Sequence, residues 1–403
     1  MASPSCVLEP AAGPAVLGAR ALRRARVAIG LVFLANGAVF GSWAPQIPLV
    51  QERLGLGPAV LGTALLAMAV GALCAMVLAG SVIARFGSAP VTRATGIVMC
   101  LALPLACLAP SLAALVAALA ILGAANGMMD VAMNAHGVAV ETRLQRPIMS
   151  SLHGLFSLGG LAGASLGAVA LAQVTPAIHV LIAGPALALL VLVLTRYLLP
   201  GHVDGADSGP HFVRPSRSAL MFGLLAFLVL MSEGAALDWS AAWLRMDLGM
   251  DPAHAGLGYA AFAGFMAAGR FAGDTLRHRV GAVALVRASA LVAALGFALA
   301  LLIATPVAAI SGFALAGLGI ANTVPVLFGA GGRLPDTAPG AGIAAIAGIG
   351  YLGFLAGPPL IGLLAELTSL GTALGLLVLA CGIVAARAPL VRVADAPLRP
   401  AGS

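Results

Sequence analysis

The chain has 403 residues, of which 61% are hydrophobic and only 9% charged. Soluble domains carry about 25% charged residues, so this chain lacks the polar side chains needed to cover a water-exposed surface. Its 21 basic residues are all arginine and outnumber 14 acids, for a net charge of +7. The arginines are not interleaved with aromatic residues as nucleic-acid binding requires. The sequence contains no nucleotide-binding loop, so it does not indicate an ATPase. It also contains no Cys/His cluster or other motif that would indicate an enzyme, a cofactor or a metal site.

Apolar runs of about 20 residues, the length that crosses a bilayer, recur twelve times. Their approximate positions are 25–49, 58–83, 91–109, 111–140, 149–172, 176–199, 218–244, 254–276, 282–302, 305–331, 339–365 and 368–387. The sequence therefore predicts an all-α polytopic membrane protein. Its predicted parts are a tail at 1–24, a six-helix half at 25–199, a linker at 200–217, a second six-helix half at 218–387 and a tail at 388–403.

The arginines are distributed unevenly between the two sides of these spans. Eighteen of the 21 lie in the tails or in the even-numbered connections, whereas only Arg53 and Arg245 lie in odd-numbered ones. The remaining one, Arg270, lies inside the eighth span. Because basic residues accumulate on the cytoplasmic side of membrane proteins, we expect both tails and the linker in the cytoplasm of a bacterium, with the spans in its inner membrane.

Short motifs repeat between the two predicted halves. NGAVFGSW at 36–43 parallels EGAALDW at 233–239, and GSAPVTR at 87–93 parallels GAVALVR at 281–287. The motif LGGLAG at 158–163 likewise parallels LGFLAG, and Asn126 parallels Asn322. The offset stays between 194 and 197 residues. Two duplicated six-span halves are typical of a large class of secondary transporters.

From roughly residue 25 to 390, the chain resembles the major facilitator superfamily. That family carries a Gly-x-x-x-Asp-Arg-x-Gly loop after the second span and a looser copy after the eighth, which correspond here to GSVIARFG at 80–87 and GRFAGDTLRHRVG at 269–281. Ala84 replaces the usual acid of the first copy, so the second copy is expected to carry more of the gate. The resemblance implies gating roles for Arg85, Arg93, Arg270, Asp274 and Arg277, with Arg270 and Asp274 read as an i,i+4 pair.

The fourth span is similar to that of a branch that includes fucose:proton symporters. The branch has an acid-x-Ala-x-Asn signature, and this chain has Asp130-Val-Ala-Met-Asn134. The resemblance implies a monomeric, proton-coupled carrier of a sugar, polyol or related polar solute. Efflux of an amphipathic compound stays open, because AGPPLIG at 356–362 resembles part of an exporter motif. A non-transporting membrane sensor is a distant alternative, since the longest predicted loop is too short for an output domain.

Polar residues of the fourth span form one stripe. At about 100° per residue, Asn126, Asp130, Asn134 and Glu141 fall on one face, whereas His136 points away. A charged side chain facing lipid is unfavourable, so the stripe is expected to face a wet cavity or another helix. Asp130 is predicted to bind the coupling proton, and the alternative is a structural hydrogen bond between helices. Glu141 is expected to be a solvated loop charge.

The fifth and seventh spans hold further candidates. His153 shares a predicted face with Ser150 and Ser157 and is either a substrate ligand, a relay to Asp130 or a structural histidine. Glu233 is a second candidate for proton coupling. Asp238 diverges from it by about 140°, so at most one of these two acids is expected to face a cavity squarely unless the helix is broken, which Gly234 permits. The alternatives are a gate at Asp238 and Trp239 and, for both acids, a packing contact between helices. The predicted substrate-cavity residues are Asn36, Trp43, Asn126, Asn134, His153, Asp238, Trp239 and Asn322.

Overall fold

The computed structural model describes residues 19–146, 148–199, 216–331, 333–334 and 339–395, and it is all-helical. The first half contains α1 (Ala19–Trp43), α2 (Ile47–Leu54), α3 (Pro58–Phe86), α4 (Ser88–Cys107), α5 (Leu112–Leu144), α6 (Met149–Gln173) and α7 (Pro176–Leu194). The second half contains α8 (Arg217–Met246), α9 (Pro252–Ala255), α10 (Leu257–Ile303), α11 (Pro306–Ile320), α12 (Thr323–Gly331), α13 (Pro339–Leu367) and α14 (Leu370–Arg387). Most of the predicted linker and both chain ends lie outside the described residues.

Eleven helical segments of the described residues are long and apolar enough to cross a bilayer. The helix α10 contains two of the twelve predicted spans, because its backbone breaks at Gly281 (φ 77°, ψ 168°). One of the eleven segments, Thr275–Ile303, runs across this break. The part of α10 before the break corresponds to the predicted eighth span. The all-helical, polytopic fold is therefore as predicted.

The internal repeat is visible in the backbone. Gly87 (φ 83°, ψ 155°) separates α3 from α4, and Gly281 breaks α10 with nearly the same dihedral angles. Both glycines begin the motifs matched between the halves, GSAPVTR and GAVALVR. This region of backbone conformation is essentially restricted to glycine, so the two halves use the same residue for the same turn.

Helices within the first half approach closely through glycines. A Cβ atom at Gly37 of α1 would collide with the backbone carbonyl of Phe156 on α6, and one at Gly123 of α5 would collide with that of Met68 on α3. In the second half, α8 packs against α13 and α14, and the two parts of α10 pack against α11 and α14. The halves meet mainly where α6 contacts α10 and where α3 contacts α13.

The two sides of the helical bundle differ. We call the side on which α1 and α8 begin the tail side, and the side on which they end the loop side. On the loop side, Arg245 of α8 forms an ion pair with Glu52 of α2 (Nε–Oε1 2.7 Å). A second contact between the halves lies nearby, because Glu366 of α13 accepts a hydrogen bond from the Ala59 backbone of α3 (3.4 Å). Polar contacts thus close the halves together on the loop side.

Polar contacts on the tail side stay within one half in the described part of the chain. Arg93 donates hydrogen bonds to the hydroxyl and carbonyl oxygens of Thr195 in the first half. In the second half, Arg277 donates to the carbonyl oxygen of Ala394 (2.9 Å). Of the polar contacts just described at the two ends of the bundle, those that join the halves therefore lie on the loop side.

Candidate functional site

A cavity of about 400 Å³ lies between the two halves. Small-molecule sites commonly have volumes of about 300–1,000 Å³. Helices α1, α3, α5 and α6 of the first half and α8, α10, α12 and α13 of the second contribute to its wall. The lining reaches Ser150 and Arg277, near the tail-side ends of α6 and the first part of α10. Much of it is aromatic or methionine side chains, including Phe33, Phe40, Phe156, Phe262, Met68 and Met266.

The carboxyl group of Asp130 lies on this wall and touches both halves. Its Oδ1 accepts a hydrogen bond from the Asn134 amide on the next turn of α5 (3.1 Å). Its Oδ2 accepts one from the hydroxyl group of Tyr351 on α13 (3.1 Å). Both donors are neutral, so no positive charge in direct contact balances ionised Asp130 in the described residues.

Glu233 of α8 lies on the same wall but has a different partner. Its Oε1 is 3.3 Å from the Arg270 guanidinium of α10, and the two side chains are only 15% and 12% exposed. The same guanidinium donates to the Ser157 hydroxyl of α6 (2.7 Å) and to the carbonyl oxygen of His153 (3.4 Å). Arg270 thus balances the Glu233 charge and bridges the halves at the level of the cavity.

Arg270 has cavity partners that the sequence did not indicate. It was expected to form an i,i+4 pair with Asp274, and its described partners are Glu233 and Ser157. The side chain of Asp274 lies outside the described residues, so the pair with Asp274 stays a prediction. Arg270 lines the cavity, and its long side chain reaches both α8 and α6.

Asparagines line the cavity in both halves. The Asn36 amide of α1 donates to the Asn126 carbonyl oxygen of α5 (3.1 Å). Asn322, at the start of the α12 segment, donates to the carbonyl oxygen of Gly269 (3.0 Å). All three were predicted as cavity residues, and all three lie on the wall. The fourth asparagine, Asn134, does not line the cavity and instead contacts Asp130.

Both acids of α8 line the cavity, and the helix is continuous between them. The helix presents Leu230, Glu233, Gly234, Leu237 and Asp238 to the cavity. These positions cover about 140° of the helix surface at 100° per residue. Because the cavity wraps around a wide face of α8, two side chains five residues apart can both line it.

Trp43 and Trp239 do not line the cavity. Both side chains are completely buried, and Trp243, the third tryptophan of the chain, is 3% exposed. The repeated motif matches Trp43 with Trp239. It did not distinguish a cavity wall from the packed core near the loop side. The three tryptophans lie close to the ends of α1 and α8, where the halves are closed together.

The remaining candidates have local contacts. The His153 ring lines the cavity and lies edge-on against Phe33, with 5.4 Å between ring centroids. No bond between His153 and Asp130 is present in the described chain. Among the predicted gating residues, Arg85 is exposed, with its guanidinium over the ring of Phe86 (5.2 Å). Arg93 contacts only its own half through the bonds described above.

Glu141 and His136 have structural contacts outside the cavity. Glu141 accepts hydrogen bonds from the backbone N–H groups of Ile148 (2.6 Å) and Met149 (3.0 Å) at the start of α6. His136 is completely buried, and its Nε2 accepts a hydrogen bond from the Leu199 backbone (3.1 Å). Glu141 is therefore a helix-capping acid rather than a freely solvated charge.

Two cavity tyrosines were not predicted from the sequence. Tyr351 contacts Asp130, and Tyr259 lines the wall near Gly160 of α6. The chain has only three tyrosines, and these two lie in apolar spans. A polar phenol group within a bilayer-spanning segment was the available signal. It did not reveal the partner of either residue, because Asp130 is 221 residues from Tyr351 in the chain.

Comparison with known proteins places this architecture in a family. The Major Facilitator Superfamily model matches residues 29–358. The chain belongs to the major facilitator superfamily. It is 39% identical over 367 residues to an uncharacterised MFS-type transporter of Yersinia pestis, which covers 91% of this chain and 95% of that protein. It is also 36% identical over 365 residues to the membrane protein MosC of Rhizobium meliloti, covering 89% and 88% of the two chains.

Solved structures show the same fold at low sequence identity. The nucleoside transporter NupG has a TM-score of 0.70 and 12% identity, over 91% of this chain and 98% of that one. A bacterial homologue of the human lysosomal transporter Spinster, in an inward-facing and unoccupied conformation, has a TM-score of 0.66 and 14% identity, over 94% and 97% of the two chains. This superfamily member is thus a multi-pass membrane transporter with its cavity between two helical halves.

Proposed function

We propose that this transporter couples proton movement to alternating-access transport of a small polar solute, with Asp130 as the proton-binding group. The observation that carries the proposal is the contact set of Asp130. This carboxyl group lines the cavity and accepts hydrogen bonds from two neutral donors. One donor belongs to each half of the protein. A proton is the simplest species that can neutralise it. The transporter is expected to act as a monomer in the bacterial inner membrane, with both termini cytoplasmic.

The hydrogen bond to Tyr351 links protonation of Asp130 to the conformation of the protein. In the ionised state, Asp130 accepts the Tyr351 hydroxyl from the opposite half. Protonation changes one carboxyl oxygen from acceptor to donor and weakens a charge-assisted hydrogen bond. The contact between α5 and α13 therefore depends on the protonation state. A ligand or proton shifts a conformational equilibrium only through such a difference between states.

The polar groups of the cavity suit a sugar, a polyol or a related compound. Separate hydrogen-bonding sites come from the Asn36–Asn126 pair, the Asp130–Tyr351 pair and the Glu233–Arg270 pair. Aromatic rings between them offer flat surfaces for the apolar face of a sugar ring. The Asp130-Val-Ala-Met-Asn134 signature, similar to that of the fucose:proton branch, supports the same class of solute.

A second candidate function is proton-driven export of an amphipathic compound. The lining contains the flexible side chains of Met68, Met76, Met133, Met149 and Met266. Methionine side chains adapt to varied apolar shapes and are common at promiscuous binding surfaces. The direction of solute movement separates the two candidates, since an importer accumulates solute on the tail side and an exporter removes it.

The test is solute-dependent proton movement in proteoliposomes that contain a pH-sensitive dye. A panel of sugars, polyols, amino sugars and amphipathic dyes is added to vesicles with wild-type protein or with Asp130→Asn. We expect one class to acidify or alkalinise the lumen with wild type only. Solute uptake without proton movement in wild type, or equal proton movement in both proteins, would refute the proposal.

A further inference from the structure

Asp238 is a second carboxyl group in the cavity, and none of the contacts described above uses it. It lies five residues after Glu233 on α8, which places it about 7.5 Å closer to the loop side. It lines the cavity and is only 3% exposed. Its Oδ1 is buried and has no hydrogen-bond partner in the described residues. Asp238 therefore stands at the end of the cavity where the halves are closed together.

Three other acids of the described residues, two partly buried and one exposed, have partners. Glu141 accepts two backbone N–H groups at the start of α6, and Asp395 accepts the Ala282 N–H at the start of the second part of α10. Glu233 has the guanidinium of Arg270. These carboxyl groups cap helices or balance a charge. Asp238 does neither, so a structural role does not account for its burial.

The titratable groups around Asp238 do not supply the missing partner. On its own helix, the cavity-lining acid is Glu233, which is paired. The helices packed against α8 contribute Tyr259, Arg270 and Arg277 from α10 and Tyr351 from α13 to the cavity. Arg270 contacts Glu233, Ser157 and His153, Arg277 contacts Ala394, and Tyr351 contacts Asp130. From the first half, Asp130 and His153 line the same cavity without a bond to Asp238.

A buried carboxylate without a partner loses its hydration, and no hydrogen bond or ion pair compensates for the loss. This desolvation costs several kcal/mol. A carboxyl group in such a place avoids the penalty by holding a proton. We propose that Asp238 is a second proton-binding group of the transport cycle. This inference deepens the proposed function, because it gives the transporter two proton sites at different depths, Asp130 and Asp238.

The position of Asp238 gives its proton a source and an exit. When the Glu52–Arg245 closure opens, the loop-side end of the cavity is exposed to water, and Asp238 is the first cavity carboxyl group on that path. It then binds a proton from loop-side water. In the arrangement described here, the same group holds the proton and faces a cavity that extends to the tail side, which is the path by which the proton later leaves. The proposed step consists only of the binding and release of one proton by the Asp238 carboxyl group.

The test is infrared difference spectroscopy of purified full-length protein near neutral pH, which needs no transported solute. Subtracting the spectrum of Asp238→Asn from that of wild type should reveal the carbonyl band of a protonated carboxyl group. The matched control is Glu233→Gln on the same helix, whose difference spectrum should contain ionised-carboxylate bands. Because the asparagine variant can misfold, Asp238→Glu serves as a second variant, in which the carbonyl band should shift and persist.

The inference is overturned if wild type minus Asp238→Asn, or wild type minus Asp238→Glu, contains only ionised-carboxylate bands. That result is independent of the role of Asp130. Conversely, if Asp130→Asn still accumulates solute but the Asp238 band is present, the proposed coupling site is wrong and the protonated Asp238 stands. The two proposals therefore fail in separate experiments.

Discussion

Asp130 and Glu233 are acids in opposite halves that line one cavity, yet their surroundings differ. Asp130 has an amide and a phenol as donors, whereas Glu233 faces a guanidinium 3.3 Å away. A carboxylate beside an arginine is stable in its charged form, and it is held there by the pair. A carboxylate with neutral partners has no such compensation. Under the proposed function, the same kind of side chain exchanges protons in one half and forms a fixed ion pair in the other.

This comparison also separates two ways of joining the halves. The Asp130–Tyr351 bond joins α5 to α13, and its strength depends on a proton. The Arg270 contacts join α10 to α6, and they need no change of protonation. We infer that the first contact responds to the coupling ion while the second maintains the geometry of the cavity.

The largest expected effect is that of Asp130→Asn, which mimics the neutral acid. Gradient-driven solute accumulation should be lost, because no proton can be bound or released at this position. Exchange of labelled for unlabelled solute should persist, since it needs no net proton movement. Glu141→Gln on the same helix is the matched control and should accumulate solute, because Glu141 lies outside the cavity.

The comparison is sharpened by breaking the ion pair from each side. Glu233→Gln and Arg270→Gln each leave one buried charge unpaired, which costs about 3–5 kcal/mol. Each should lower the melting temperature of the purified protein markedly. The double variant removes both charges and should recover most of the loss. If the single variants melt like wild type, the pair is not a fixed structural contact and the contrast with Asp130 disappears.

A smaller effect is expected from Tyr351→Phe, which removes one hydrogen bond to Asp130. A net hydrogen bond is worth about 1 kcal/mol, so the rate of coupled transport should fall by about fivefold without a loss of folding. Tyr259→Phe is the control, because its ring lines the cavity without contacting Asp130. Equal rates for the two variants would show that the bridge between α5 and α13 does not contribute to coupling.

The smallest effect on stability is expected at the loop-side closure. Glu52 and Arg245 are 38% and 29% exposed, and such pairs contribute about 0–1 kcal/mol. Glu52→Arg should nevertheless favour opening of the loop side, because it places two like charges together. The chain's three buried tryptophans lie at this closure, so acrylamide quenching of their fluorescence should increase. Adding Arg245→Glu should restore the wild-type quenching; an unchanged signal in Glu52→Arg argues against a closing contact.

Much of the fold was predictable because hydropathy and charge act locally. Apolar run length predicted the helices, and the repeated GSAPVTR and GAVALVR motifs predicted two related halves, which have equivalent turns at Gly87 and Gly281. Helical periodicity also placed Asn126 and Asp130 on one face, and both line the cavity. These predictions needed only neighbours within a few turns.

Partners across the bundle were not predictable in the same way. Local spacing suggested only Asp274 as a partner of Arg270 and did not reveal Glu233, 37 residues earlier in the chain. The Tyr351 bond to Asp130 depends on how the halves dock. Trp43 and Trp239 fit the repeat, but periodicity does not distinguish a cavity wall from a packed core. In each case the missing information was the tertiary arrangement of helices.

The central claim is that the acid with neutral partners exchanges protons and the acid beside arginine does not. A hydrophobic carbodiimide, which reacts with protonated carboxyl groups, tests it directly on purified wild-type protein when its adducts are mapped by tandem mass spectrometry. The account predicts an adduct at Asp130 and none at Glu233, with Glu233 becoming reactive in Arg270→Gln. An adduct at Glu233 but not at Asp130 in the wild-type protein would contradict it.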